Sequence, residues 1–104
     1  MKGVMNMVEK FETMIFDERC MTWTKNPEYN KLIVRHAEQY LRDKCNLLGW
    51  ISLNDVYDEL GLPRKLEAQV VGWRGIDSVA FAIMECQDNP LNIEIRFINL
   101  IKLL

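Results

Sequence analysis

The sequence predicts a single α+β domain over residues 1–104: an N-terminal strand, two to three helices and a C-terminal antiparallel β-hairpin that forms a small sheet. Two observations support this prediction. Residues 27–48 and 53–60 carry apolar side chains at helical spacing, whereas residues 79–84 and 93–97 alternate as strands do. Helices grouped before strands, rather than alternating with them, are typical of α+β domains.

Composition limits the class of protein. The chain has 104 residues, of which 49% are hydrophobic, and this is enough for one core. The formal charge of −2 disfavours general binding to a phosphate backbone, which requires a basic surface. No apolar run reaches the roughly 20 residues that span a bilayer, and residues 1–10 lack the apolar core of a signal peptide. We therefore expect a cytoplasmic protein whose residues 1–10 are loose.

The N-terminal strand is predicted within residues 11–24. Side chains there alternate between two faces, and the threonine, isoleucine, phenylalanine and tryptophan residues favour extended structure. We expect an interruption of this strand near Asp17 and Glu18.

The longest predicted helix occupies residues 27–48. Asn26 offers a capping side chain, Pro27 suits the first helical position, and Gly49 ends the helix. Its apolar stripe also holds the single histidine, and the positions at helical spacing are Tyr29, Leu32, Ile33, His36, Ala37, Tyr40, Leu41, Cys45 and Leu48.

The next predicted helix, residues 53–60, has recognisable ends. Ser52 can cap the first turn, and Asp55 stands where a capping-box carboxylate accepts a hydrogen bond. Gly61 is expected to adopt the left-handed conformation in which many helices end.

Three further elements complete the predicted fold. Residues 63–71 form a third helical segment that opens with proline. Residues 79–84 are predicted to be a strand buried on both faces, and residues 93–97 a half-exposed strand paired with it across a turn at residues 87–90. The apolar tail, residues 98–104, either prolongs the last strand or turns helical.

The two helical segments within residues 53–71 allow a helix-turn-helix interpretation, with the hairpin as a wing. Two residues argue against it, because Tyr57 stands where that motif needs a small side chain and Glu67 where it needs an apolar one. The side chains left to contact DNA are Arg64, Lys65 and Gln69.

No catalytic, cofactor-binding or metal-binding constellation is present in the sequence. His36 has no partner at a spacing that would orient its ring for acid–base chemistry. Asp55 and Glu59 share a helix face, but the ligand pattern of a calcium loop is absent. We therefore predict that the protein is not an enzyme and needs no cofactor or metal. Three distant cysteines are expected to be buried free thiols, namely Cys20, Cys45 and Cys86.

The candidate partner-binding residues surround the two shorter helical segments. The acidic face of residues 53–60 is a possible protein contact, and a tryptophan at either end of the segments, Trp50 or Trp73, would anchor an interface if exposed. The complete set is Asp55, Glu59, Arg64, Lys65, Trp73 and Arg74. The apolar C-terminal segment is a candidate homodimer contact.

The segment GWISLNDVYDELGLP and the later VVGW resemble a family of small uncharacterised proteins from phages and prophages of Firmicutes. Members carry a helix, a segment like GY-x-x-LNE-[FV]-Y-x-x-LGLP, a GW dipeptide and two strands. The match spans roughly residues 28–97, with Asp55 in place of the usual glutamate and a departure after Trp73. The matching residues are Gly49, Leu53, Asn54, Val56, Tyr57, Leu60, Gly61, Leu62, Pro63, Gly72 and Trp73.

This resemblance implies a mobile-element origin and transfers no activity. Small accessory proteins of that kind often bind a host or phage protein, and they include inhibitors of host defence such as anti-CRISPR proteins. We therefore expect a non-enzymatic protein-interaction module, located in the host cytoplasm if phage-encoded. The alternatives are a winged-helix-like nucleic-acid-binding protein and a minor structural or assembly protein of the phage particle.

Overall fold

The protein has a mixed α+β architecture, so the predicted fold class is confirmed. The computed structural model describes residues 6–104, which form three α-helices and two antiparallel three-stranded sheets. The helices are α1 (Met7–Phe11), α2 (Pro27–Leu48) and α3 (Leu53–Leu60), and a 3₁₀ turn follows at Leu66–Val70. The strands are β1 (Thr13–Phe16), β2 (Trp50–Ser52), β3 (Val71–Arg74), β4 (Ala80–Glu85), β5 (Ile93–Ile98) and β6 (Ile101–Lys102).

The first sheet has the order β1–β5–β4 and contains the predicted C-terminal hairpin. β4 and β5 pair antiparallel along their whole length, and β1 pairs antiparallel with the other side of β5. On β5, Ile93, Ile95 and Phe97 are buried whereas Arg96 is exposed, so the prediction of a half-exposed strand is confirmed.

The prediction that residues 79–84 form a strand buried on both faces is wrong for β4. Phe81 is buried, but Ala82 and Met84 are exposed because one face of this edge strand is not covered by another layer of the described structure. Apolar alternation identifies a strand without telling whether both of its faces are covered.

The second sheet has β3 at its centre, between β2 and β6. Gly72 pairs with Ser52 on one side and with Ile101 on the other. The apolar tail neither prolongs the last strand as a whole nor turns helical, as the sequence allowed, but takes a third arrangement. Asn99 has a φ of 65° and ends β5, and the chain then enters the second sheet as β6.

The N-terminal region is more ordered than predicted. Residues 7–10 were expected to be loose but lie in α1, because Phe11 is buried in the core and Met7 and Val8 pack against it. Residues 1–5 lie outside the described part of the chain.

The predicted strand over residues 11–24 is too long, since β1 ends at Phe16, next to the expected interruption. The carboxylate of Asp17 accepts a hydrogen bond from the Arg19 N–H at 3.0 Å, and its carbonyl accepts one from the Cys20 N–H at 2.9 Å. These local bonds turn the backbone away from the sheet.

The third helical segment, predicted over residues 63–71, is shorter than expected and is not an α-helix. Lys65 is extended, and the following 3₁₀ turn has only five residues, Leu66–Val70. The side chain of Asn54 explains this, because it accepts a hydrogen bond from the Lys65 N–H and donates one to the Lys65 carbonyl, each at 2.9 Å. A contact over 11 residues therefore overrides local helical preference.

One cluster of buried side chains draws on every helix and both sheets. Trp73 lies within it, with its ring centroid 6.1 Å from that of Phe81 and 5.7 Å from that of Phe97. Pairs at these distances have the tilted and edge-to-face geometries that aromatic rings prefer. The aromatic cluster joins β3 to the hairpin of the first sheet.

The ends of α2 and α3 lie where the sequence predicts. The Asn26 side chain accepts a backbone hydrogen bond in the first turn of α2, and the Asp55 carboxylate accepts one from the Ser52 N–H at 2.8 Å. The residues that follow the two helices are both left-handed, Gly49 with a φ of 90° and Gly61 with a φ of 82°.

Substitution of these two glycines separates backbone strain from crowding. A Cβ at Gly61 would lie 2.7 Å from the backbone N of Met21, whereas a Cβ at Gly49 would have nothing within 4 Å. Left-handed strain alone costs about 1 kcal/mol, so Gly49→Ala should lower the free energy of unfolding by about that much. Gly61→Ala should lower it by about 2–3 kcal/mol because crowding is added. Urea unfolding measures both, and equal losses would contradict the close approach of Met21.

Candidate protein-interaction surface

Helix α2 has two apolar faces. One packs into the core through Val34, Ala37, Leu41 and Cys45. The other faces solvent, although most of its side chains belong to the same predicted apolar stripe as Ala37, Leu41 and Cys45. A helix that is apolar on its exposed side needs an explanation, because such residues normally face a partner layer.

The exposed face forms a line that we call the α2 stripe. At 3.6 residues per turn, Tyr29, His36, Tyr40 and Leu47 fall within about 20° of one line along the helix. This line lies roughly 130° around the helix axis from the centre of the buried face, and the four residues extend over about 27 Å. Its apolar members are 49–84% exposed, and with the exposed His36 the stripe comprises Tyr29, Leu32, His36, Tyr40 and Leu47.

Two surface depressions lie along the α2 stripe and meet at His36. One has a volume of about 500 Å³ and is bounded by Tyr29 and Leu32. The other has a volume of about 310 Å³ and lies between Tyr40 and Glu59 of α3. The stripe is therefore not a smooth cylinder but offers recesses for side chains of a partner.

The acidic face of α3 contributes one available carboxylate to this surface. Asp55 binds the Lys44 ammonium at 2.9 Å, and this hydrogen bond raises the pKa of Lys44. Asp58 binds Arg64 at 2.7 Å, and that hydrogen bond lowers the pKa of Asp58. Glu59 is exposed and makes no salt bridge within residues 6–104. Of the two acids predicted to contact a partner, Asp55 instead holds the helix start.

Trp73, the predicted interface anchor, is fully buried, so it cannot contact a partner. Its indole N–H donates to the Ile98 carbonyl at 2.7 Å, and the alternation of β3 turns the side chain inward. Arg74 points outward and donates to the Leu103 carbonyl at 2.9 Å. Trp50, the other candidate anchor, is exposed at the start of β2.

The basic pair of the set lies on the segment after α3. Arg64 is held by its salt bridge to Asp58, and the Lys65 ammonium lies 5.8 Å from the centroid of the Tyr57 ring. Because residues 63–65 precede a short 3₁₀ turn, the recognition helix of the helix-turn-helix interpretation does not form. Because Trp73 is buried, the six predicted partner-binding residues do not all lie on one exposed surface.

A buried carboxylate that the sequence analysis missed holds α2 against β4. Glu38 accepts a hydrogen bond from the Phe81 N–H at 2.7 Å. The same carboxylate binds Arg35 at 2.9 Å and Arg42 at 3.4 Å. In the sequence, Glu38 is marked only by the arginines three residues before it and four residues after it. Such a pattern indicates salt bridges along a helix but does not indicate that the acid is buried.

Removal of this carboxylate should be costly. Glu38→Ala is expected to lower the free energy of unfolding by about 2–3 kcal/mol, because the Phe81 N–H loses a charged acceptor. Glu38→Gln keeps an acceptor and should lose less. Glu28→Ala is the surface control, and its exposed pair with Lys31 at 3.6 Å is expected to contribute under about 0.5 kcal/mol. Equal unfolding midpoints for Glu38→Ala and Glu28→Ala would contradict the bond to Phe81.

The chemistry expected of the remaining groups is simple. The cysteines are free as predicted, with Cys20 and Cys45 buried and Cys86 half-buried. Within residues 6–104, no group of three or more histidine, cysteine or acidic residues is arranged to hold a metal ion. None of the helices in the described part of the chain is long and apolar enough to cross a bilayer.

The fold and this surface define a small α+β domain with an exposed apolar helix face. The pattern of a family of unknown function, DUF6353, matches residues 2–100, so the chain belongs to that family. No curated protein matches the sequence. No solved structure matches it either. The expected membership of an uncharacterised family is confirmed, and its phage origin stays a prediction.

Proposed function

We propose that the protein is a non-enzymatic protein-interaction module whose partner packs against the α2 stripe. The exposure of Tyr29, Leu32, Tyr40 and Leu47 on the same side of α2 is the observation that supports this proposal. Single exposed apolar residues are common, but several large ones on one side of a helix are typical of an interaction site.

The energetics favour occupation of this face. Full burial of a leucine side chain contributes about 1.5–3 kcal/mol, and two leucines and two tyrosines line the α2 stripe. Tyrosine is enriched among residues that dominate binding energy, because it buries a large area with little loss of side-chain freedom. Burial of the whole stripe by a partner therefore contributes favourably against the cost of association.

The shape and charge of the surface indicate the chemistry of the partner. An elongated apolar row of about 27 Å suits an amphipathic helix that lies along α2. Glu59 borders one recess without a salt bridge to any described residue, so a lysine or arginine of the partner has a carboxylate to bind. We therefore propose an amphipathic partner helix with a basic residue near its middle.

The identity of the partner is proposed from the family resemblance. If the family belongs to phages and prophages, a protein of a host defence complex is a natural target, in the manner of anti-CRISPR proteins. Nucleic-acid binding has lost its main structural argument, since residues 63–71 do not form a recognition helix. Assembly into a phage particle predicts self-association instead of one foreign partner.

A stripe variant with a matched control tests this proposal. The double variant Leu32→Ser with Tyr40→Ser should lose the protein that the unmodified chain recovers from host lysate, with at least a tenfold weaker Kd once that protein is purified. Leu66→Ser is the control, because Leu66 is 93% exposed and lies outside the stripe. Both variants should melt near the unmodified protein, since about half or more of each changed side chain is already in solvent.

Three outcomes would overturn the proposal. Equal affinity of the stripe variant and the control places the interface elsewhere. A concentration-dependent mass that the stripe variant abolishes would identify a second copy as the occupant. Salt-dependent retention of duplex DNA, lost on Arg64→Ala, would restore the nucleic-acid alternative.

A further inference from the structure

The two edges of the first sheet are treated differently by the fold. At the β4 edge, polar side chains of α2 bind the outward backbone groups. Glu38 accepts from the Phe81 N–H at 2.7 Å, and Arg35 donates to the Phe81 carbonyl at 3.0 Å. Arg42 donates to the Val79 carbonyl at 3.0 Å. This edge cannot accept another strand while α2 is in place.

Within residues 6–104, the opposite edge, β1, has no such cover. The Phe97 N–H donates to the Glu12 carbonyl at 2.8 Å, which fixes the alternation of the β1–β5 ladder. Antiparallel pairing then turns the N–H and C=O groups of Thr13 and Ile15 away from β5. Within residues 6–104 these groups make no hydrogen bond across the outer edge.

A groove with a volume of about 570 Å³ runs beside this open edge. Met14 and Ile15 of β1 line one side, and Tyr57 and Leu62 from α3 and its end line the other. An apolar groove next to an open edge strand is suited to binding an extended peptide by strand addition.

The charged residues that line the groove are all basic. They are Lys10, Arg19 and Lys65, and no acid lies among the lining residues. Lys10 forms a salt bridge with Glu67 at 2.7 Å, and Arg19 forms one with Asp17 at 2.9 Å. Lys65 makes no salt bridge with a residue of the described chain and borders the groove beside Tyr57. The groove therefore favours a segment that carries acidic side chains.

We propose that β1 binds an extended segment of a partner protein, in which apolar and acidic residues alternate, as a fourth strand of the first sheet. The backbone of the segment bonds to Thr13 and Ile15, one row of side chains fills the apolar groove, and an acid reaches Lys65. A four-residue contact spans about 13 Å. The site shares no residue with the α2 stripe.

Synthetic peptides test this proposal on the full chain. A capped six-residue peptide of alternating valine and glutamate should bind at least tenfold more tightly than the matching valine–lysine peptide, measured by titration calorimetry. Methylation of the peptide nitrogens that face β1 should weaken binding at least tenfold, because it removes the ladder donors. Lys65→Glu should reduce or reverse the preference for glutamate.

Controls separate this site from the proposed function and from other occupants. The stripe variant Leu32→Ser with Tyr40→Ser should keep the affinity for the peptide unchanged. Equal binding of the two peptides, or no effect of methylation, would overturn the proposal. It would also be overturned if deletion of residues 1–5 raised the affinity tenfold, since the chain's own N-terminus would then be the occupant. A loss of self-association on adding peptide would identify a second copy as the occupant instead.

Discussion

Gly72→Ala is expected to destabilise the protein by about 3 kcal/mol or more. A Cβ at this position would lie 2.0 Å from the Ile51 carbonyl oxygen and 2.8 Å from the Ser52 Cα. Both contacts are to backbone, and β3 is held on its other side by β6, so the strand cannot shift away. The GW dipeptide therefore needs its glycine for the close approach of two strands.

Gly75→Ala is the matched control for this prediction. Gly75 has a φ of 99° with nothing within 4 Å of its added Cβ, so only left-handed strain of about 1 kcal/mol is expected. Urea unfolding followed by circular dichroism measures both variants. If Gly72→Ala loses no more stability than Gly75→Ala, the described spacing of β2 and β3 is wrong.

Trp73→Ala should cost about 3–5 kcal/mol, the range for a large aromatic removed from a core. The ring is fully buried against Phe81 and Phe97, and its N–H satisfies the Ile98 carbonyl. Trp73→Phe should lose less, about 1–3 kcal/mol, because the carbonyl loses its donor while much of the ring volume remains.

Trp50→Ala distinguishes a core tryptophan from an exposed one. Trp50 is about half exposed, so the same truncation is expected to cost under about 1 kcal/mol. Thermal unfolding of the three variants gives the comparison. A smaller loss for Trp73→Ala than for Trp50→Ala would mean that the buried and exposed roles are reversed.

Structural features that depend on neighbouring residues could be predicted from the sequence. The starts of α2 and α3 rest on side chains that bind backbone within three positions, as Asp55 does with Ser52. The glycine at the end of each helix adopts the expected left-handed conformation, as Gly61 shows. Because these interactions are local, tertiary contacts did not have to be known.

Features that depend on distant contacts were not predictable in this way. Residues 63–71 have helical preference, but Asn54 fixes Lys65 in an extended conformation from α3. Glu38 is at a position typical of a solvent-exposed acid, yet β4 buries it. Trp73 was open to either a core or an interface role until the packing of β3 was known.

The α2 stripe lies between these cases. The apolar positions of residues 27–48 cover more than one face of a helix, and their angles separate Tyr29, His36 and Tyr40 from Val34 and Leu41 by roughly 90° or more. This angular separation was present in the sequence and could have revealed two faces. Which of the two faces the core, however, depends on the sheets and α3.

The most direct measurement is site-specific photocrosslinking inside the cell in which the protein acts. A photoreactive phenylalanine derivative replaces Tyr40 in the α2 stripe or, as the control, Leu66, which lies outside the stripe and is more exposed than Tyr40. The proposed function predicts one dominant foreign protein crosslinked from position 40 and none from position 66. Crosslinks from position 66 alone, or from neither position while the protein still recovers its partner, would contradict an interface on α2.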